Sequence, residues 1–285
     1  MLHRTRFASL SIVLLLVVHA AQAQQQASCS TTFLPTTVNI PNVGPTAWTP
    51  SGINDYGTVV GLAVTNLAQW GVIRWAGGGI TAVWENALVA RNDNGVTTGY
   101  SYFDNNQPFV MTGTTINLLS PFGQYVTFVV AGLNNWGTVV ATYQQIGYKI
   151  WSNGSVVTLK FPGAYETAPF AINDSGMIVG FYEVSGHGPS GFIHSKGKWA
   201  TLNYPNSTNT LLAGISNAGR IIGWTANANG FTTSFVYENG VFKTISAPNA
   251  IAGSTRLLSM SLRSGLILGT ANFSTGTKAF IASCQ

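Results

Sequence analysis

Eight carboxylates, two histidines and a scatter of aromatic rings are the side chains able to act on a partner once the first 23 residues are set aside as an export segment. Hydrolysis or elimination at a sugar calls for two carboxyl groups about 5 to 10 Å apart. Asp55, Asp93, Asp174 and Glu238 stand in polar turn motifs, which leaves Glu85, Asp104, Glu166 and Glu183. A serine nucleophile would need a histidine. His194 alternates with Phe192 as on a strand, His187 sits in the loop-like SGHGPSG, and no G-x-S-x-G elbow accompanies either. The acid and base pool for an enzyme is therefore Glu183, Glu166, Asp104 and His187. Metal binding has less support. Two histidines lack ligand spacing, and each Asn-Asp-x-Gly turn brings one acid where calcium loops use several oxygens in succession. Neither metal nor cofactor is expected, with calcium at a turn as the remaining alternative. None of the glycines opens a helix that could cradle phosphate.

The elements that would position these groups come from a repeat. GTVVG (Gly57 to Gly61), GVTTG (Gly95 to Gly99), GTVVA (Gly137 to Ala141), GMIVG (Gly176 to Gly180), GRIIG (Gly219 to Gly223) and GLILG (Gly265 to Gly269) recur at spacings of 38, 42, 39, 43 and 46 residues. A polar turn precedes each: GINDYG, ARNDNG, GLNNWG, AINDSG, GISNAG and the degenerate SLRSG. Asn and Asp bond their own backbone two residues on, and glycine supplies the positive φ of a tight turn, so each marks a hairpin. An aromatic-led strand, a second Gly turn and a strand often ending in Pro follow, as in GFIHSKGKWATLNYP (Gly191 to Pro205) and SFVYENGVFKTISAP (Ser234 to Pro248). Four antiparallel strands at a period of about 42 residues, with no helical periodicity, predict an all-β fold, a six-bladed β-propeller of four-stranded blades. A seven-bladed ring with an eroded blade and an open solenoid are the competitors.

The chain ends predict how the ring closes. The sixth repeat stops after its third strand at KAFIASCQ, while CSTTFLPTTVNIP near the start reads as a fourth strand ending at Pro41. Aligning Pro41 with Pro248 sets Val38 at the place of Ile245, and Phe280 falls at the place of Phe235. The last blade is thus completed by the N-terminal strand. Cys29 and Cys284, the only cysteines, fall where the turn Glu238 to Gly240 lies in the preceding blade, so a disulfide is expected to replace the missing turn.

Export is read from Arg4 and Arg6, the apolar run Phe7 to Val18 and the small-residue signal Ala21-Gln22-Ala23, giving a signal peptide over 1–23 and one propeller domain over 24–285. The mature chain keeps eleven Lys and Arg against eight Asp and Glu, a net charge of +3. With 7% charged residues and no basic cluster, neither a nucleic-acid footprint nor a polybasic membrane patch is present. No later run approaches the roughly 20 apolar residues of a membrane span. A secreted or periplasmic monomer follows.

The IN-D-x-G turns, the glycine-flanked I-V-G strand and the aromatic-led F-[IV] hairpin resemble the HAF family of bacterial extracellular repeats. The resemblance covers essentially the whole mature chain and is clearest over Ala171 to Pro205 and Gly214 to Pro248. It departs at Ala141 and in the last repeat. It implies secretion and a propeller-like array, and brings no catalytic residues. It also implies a bacterial source, in which the N-x-S/T triplets at Asn153, Asn173, Asn206 and Asn272 are expected to stay unmodified.

If the first strand of each blade is innermost, the Asn-Asp turns lie on one face and the loops between second and third strands on the other. By analogy with propellers, a ligand is expected on that second face. Tyr100, Asp104, Tyr143, Tyr182, Glu183 and Trp224 are the ligand-binding candidates, because rings among amides and carboxylates suit sugar faces and hydroxyls. Large rings also pack between blades, and the sequence leaves both roles open. The leading expectation is a non-catalytic module that binds a polysaccharide or an extracellular or envelope protein. A glycoside hydrolase or polysaccharide lyase is the alternative, and a structural surface protein the third.

Overall fold

In each repeat the polar turn reverses one short β-prone segment onto the next, and three reversals in all build a small twisted four-stranded sheet. The computed structural model of the chain describes residues 25–102, 107–119, 128–227 and 232–285, which contain strands and no helix. Six antiparallel sheets follow in chain order, and the fold is a six-bladed β-propeller with four-stranded blades. The innermost strands of blades 1 to 6 are Gly44–Ile53, Asn86–Arg91, Val129–Leu133, Glu166–Ile172, Leu211–Ile215 and Arg256–Met260. Each touches the next, and the sixth touches the first, so the ring is closed.

Buried apolar side chains gather in six clusters, one in each seam between neighbouring blades. Phe109, Phe192, Phe235 and Phe280 occupy one position of the third strand in four blades and are fully buried. Each stands directly opposite the second glycine of the repeat motif: Gly99, Gly180, Gly223 and Gly269. That glycine is required by close approach, since a Cβ on Gly180 would lie 2.0 Å from the Ala168 carbonyl oxygen. Blade 3 departs from the pattern with Ala141 opposite Tyr148.

All six innermost strands carry a β-bulge at the same place. A bulge sets one residue out of the ladder and re-aims its side chain. The bulged residues Ser51, Val89, Ala131, Phe170, Ala213 and Leu258 all line the central channel, which retains about 60 Å³. That space admits a few waters and no sugar.

Closure follows the expected plan with a shifted register. Strand Cys29–Phe33 pairs with Gly276–Cys284 as the fourth strand of blade 6. Cys29 and Cys284 face each other at its end and form the disulfide, with Cα atoms 4.1 Å apart. Phe33 lies opposite Phe280 as Thr244 lies opposite Phe235. Leu34, and not Val38, therefore takes the place of Ile245. Val38 belongs instead to a short strand, Thr37–Ile40, which forms a hairpin with the start of Gly44–Ile53 and packs in the seam between blades 6 and 1. One further strand was not expected: Gln25–Gln26 runs parallel to Val241–Ile245, the outer strand of blade 5. The proposed signal peptide over 1–23 lies outside the described residues.

Candidate functional site

The repeated Asn-Asp turns do more than reverse the chain. Asn134 Oδ1 accepts hydrogen bonds from the backbone N–H groups of Trp136 and Thr138, as an Asx turn should. Its Nδ2 then donates to the carbonyl of Asn173 in the next blade at 3.1 Å. Asn54, Asn92 and Asn173 make the same bridge, to the carbonyls of Asn92, Asn134 and Ser216. A second ring runs through the adjacent residue. The N–H groups of Asp55, Asp93, Asn135 and Asp174 each donate, at 2.9 Å, to the side-chain oxygen of the following blade's Asp93, Asn135, Asp174 and Asn217. Asp55 Oδ1 closes the circle by accepting from the N–H groups of Arg263 and Ser264 in blade 6.

Within that second ring, amide and carboxylate alternate. Asn135 Nδ2 donates to Asp93 Oδ2 and Asp174 Oδ2, and Asn217 Nδ2 donates to Asp174 Oδ2. Only between Asp55 and Asp93 do two carboxyls meet. Burial and the Asp55 carboxyl push Asp93 above the usual range. Burial would also raise Asp55, but hydrogen bonds from Asp93, Ser264 and Arg263 hold it lower. These acids are ring-closing groups and not a substrate pair.

The turn face carries a cleft of about 680 Å³ between blades 2 and 3. Val96, Val110, Val139 and Ile150 form its floor, and its rim carries Asn94, Asn117, Asn153, Trp136 and Trp151, with no acid or base among the described residues of the lining. Trp136 is 71% exposed, and its Nε1 donates to the Asp174 carbonyl at 3.0 Å, which fixes the ring while leaving it open to solvent. The Lys149 ammonium lies 4.8 Å from the Trp151 ring centre.

The residues singled out from sequence lie elsewhere. Tyr100 packs between blades 2 and 3 with its hydroxyl donating to the Val130 carbonyl at 3.0 Å, and burial pushes its pKa up. Tyr143 packs on Phe128 with ring centres 5.3 Å apart. Tyr182 stacks on Phe161 at 3.7 Å and shares a hydrogen bond with Thr201. Trp224 is covered by the Arg256 guanidinium at 3.8 Å. His187 is exposed, and Asp104 lies outside the described residues. Glu166 and Glu183 do come together as directly opposed residues of neighbouring strands in blade 4. The Tyr165 hydroxyl bonds Glu183 Oε2, while burial, and then the Glu183 charge, raise Glu166. Neither acid lines any of the described cavities.

Trp136 and Trp151 are not among the candidates read from the sequence, which come from loops expected on the other face. The signal lay in comparing equivalent positions between repeats: the residue before the turn glycine is Tyr56, Asn94, Trp136, Ser175, Ala218 and Ser264 in blades 1 to 6.

Solved propellers share the fold. Virginiamycin B lyase from Staphylococcus aureus is similar with a TM-score of 0.50 and 12% identity, over 90% of this chain and 99% of that one. AofleA from Arthrobotrys oligospora gives 0.52 and 10% over 92% and 88%. TolB from Acinetobacter baumannii gives 0.54 and 12% over 81% of this chain and 65% of that one. At such identities the likeness is one of fold alone. No family model matches the sequence, and no curated protein matches it.

Proposed function

We propose that this chain is an exported, non-catalytic binding module whose turn face holds a polysaccharide at the cleft between blades 2 and 3. One observation carries the reading. Trp136, a large ring fixed by its own indole hydrogen bond, stands open to solvent beside a cleft whose rim is hydroxyls and amides. The flat apolar faces of sugars stack on such rings, and their hydroxyls pair with amides, which needs no charge on either side. A disulfide fits an oxidising compartment, which supports export. In a screen of immobilised polysaccharides, the mature protein is expected to be retained, and Trp136→Ala to weaken binding by roughly thirtyfold, as loss of a central aromatic anchor does. Unchanged retention of Trp136→Ala would remove the cleft from the account.

A second reading has one observation of its own. The opposed Glu166 and Glu183, with Glu166 raised, form the kind of unequal acid pair that glycosidic chemistry uses. It predicts shortened or unsaturated products from a bound polysaccharide, abolished in Glu166→Gln and Glu183→Gln. Intact ligand after prolonged incubation rules it out.

A further inference from the structure

We propose that the turn face carries a second sugar station on blade 1, built from Tyr56 and Trp75, and that one polysaccharide chain crosses blade 2 to engage both stations. This rests on the binding reading above and extends it to a neighbouring site.

Two repeat positions define a station. The first is the residue before the turn glycine, and the second is the residue just after the third strand reaches the turn face. By strand register the second position is Trp75, Thr112, Trp151, Ser195, Glu238 and Ser283 in blades 1 to 6. Both positions are aromatic in blade 1 (Tyr56, Trp75) and in blade 3 (Trp136, Trp151). In no other blade is either aromatic. The two positions adjoin in both blades, since a Cβ on Gly57 would meet Ala76 at 3.6 Å and one on Gly137 would meet Ser152 at 3.5 Å.

Four blades make the same turns and join the same ring without aromatic residues here. Folding therefore does not demand them, and their exposure argues against packing: Tyr56 is 68% and Trp75 41% exposed. Each second-position tryptophan is also steadied in the same manner. The Arg91 guanidinium lies 5.1 Å from the Trp75 ring, as Lys149 lies 4.8 Å from Trp151. Trp75 Nε1 donates to Thr81 Oγ1 at 3.2 Å, and Arg91 Nη1 donates to Thr97 Oγ1 at 2.6 Å. Rings held before the ligand arrives lose little freedom on binding.

Blade 2 lies between the two stations and places Asn94 and Thr112 at the equivalent positions. Both are smaller than the rings at the two stations, and Asn94 is itself tethered through Nδ2 to the Asn135 carbonyl at 2.8 Å. Two weak stations joined by one ligand act through effective concentration, so affinity should rise steeply once an oligomer is long enough to span them.

The test uses the mature chain in native gels containing xylan, laminarin, alginate or polygalacturonate. Partial hydrolysates of any retaining polysaccharide, sized from two units upward, are then titrated calorimetrically. Wild type is compared with Tyr56→Ala/Trp75→Ala and Trp136→Ala/Trp151→Ala. The expected result is weak binding of short oligomers, a gain of about a hundredfold above a threshold length, and loss of that gain in the blade 1 double variant with short-oligomer binding kept. A blade 1 double variant that matches wild type at every length overturns the second station and leaves the cleft standing. Retention insensitive to both double variants, or no retention of wild type by any of the four polysaccharides, overturns the binding reading and this inference with it.

Discussion

Once Asp93 has lost its proton, Asp55 Oδ2 is buried without a hydrogen-bond donor, at the one place in the turn ring where two carboxyls adjoin. The four residues that follow in the ring, Asp93, Asn135, Asp174 and Asn217, alternate acceptor and donor. Asp55→Asn would supply the missing donor toward Asp93 while keeping an oxygen for Arg263 and Ser264. It is expected to stabilise the fold at neutral pH by about 1 kcal/mol, the net worth of one hydrogen bond. The pH dependence follows from the two shifts. Asp93 titrates above its unfolded value, so its contribution is full below that value and is lost as pH rises through the folded one. Asp55 titrates below its unfolded value, so its contribution is present above that value and is lost as pH falls through the folded one. Urea titrations from pH 3 to 7 should show wild type losing stability just above the usual aspartate range, and Asp55→Asn escaping that loss. A destabilised Asp55→Asn would show that the two carboxyls do not need a donor between them.

At the scale of elements, turns and strands were legible and the bonds between them were not. The Asn-Asp-x-Gly signal announces a turn because its local bonding needs only neighbouring residues. Its second role, bridging to a turn some forty residues on, depends on the ring bringing those turns together. The hint was redundancy: one Asx residue suffices for a turn, and most repeats carry two. Asn134→Ala should therefore cost about 3 kcal/mol, more than a turn substitution alone, because it leaves the Trp136 and Thr138 N–H groups without their acceptor and also removes the bridge to the Asn173 carbonyl of the next blade. Gly180→Ala should cost a similar amount, about 3 kcal/mol, through overlap with the Ala168 carbonyl. Chemical denaturation measures both. The N-terminal strand shows how a local cue misleads. Pro41 resembled the closing proline of other blades and pointed to Val38, whereas Cys29 at the turn position pointed to Leu34. The cysteine prevailed because pairing across the blade is fixed by partners, not by the residue that ends the strand.

For the whole molecule, the core is divided among six seams, so opening the ring at one seam exposes that seam's share of the core. The Cys29–Cys284 bridge spans 255 residues, for which the chain-entropy account gives about 5 kcal/mol. Arg220 adds to the same closure, pairing with Glu238 at 3.0 Å and donating to the Cys284 carbonyl. Cys29→Ala/Cys284→Ala is expected to lower the unfolding midpoint strongly without altering the blades, and equal midpoints with and without reductant would contradict that role. The candidate site was the least legible part. Tyr100, Tyr143, Tyr182 and Trp224 are rings among polar loop residues in the sequence, and only the assembled blades show them packed or covered. In the proposed function, ligands meet the turn face. Hydroxyl-radical footprinting of the mature protein with and without a retained polysaccharide tests it most directly. Protection of Trp136 and Trp151 is expected, with Tyr56 and Trp75 joining for long chains, whereas protection confined to Tyr165 and His187 on the opposite face would place the ligand away from the turns.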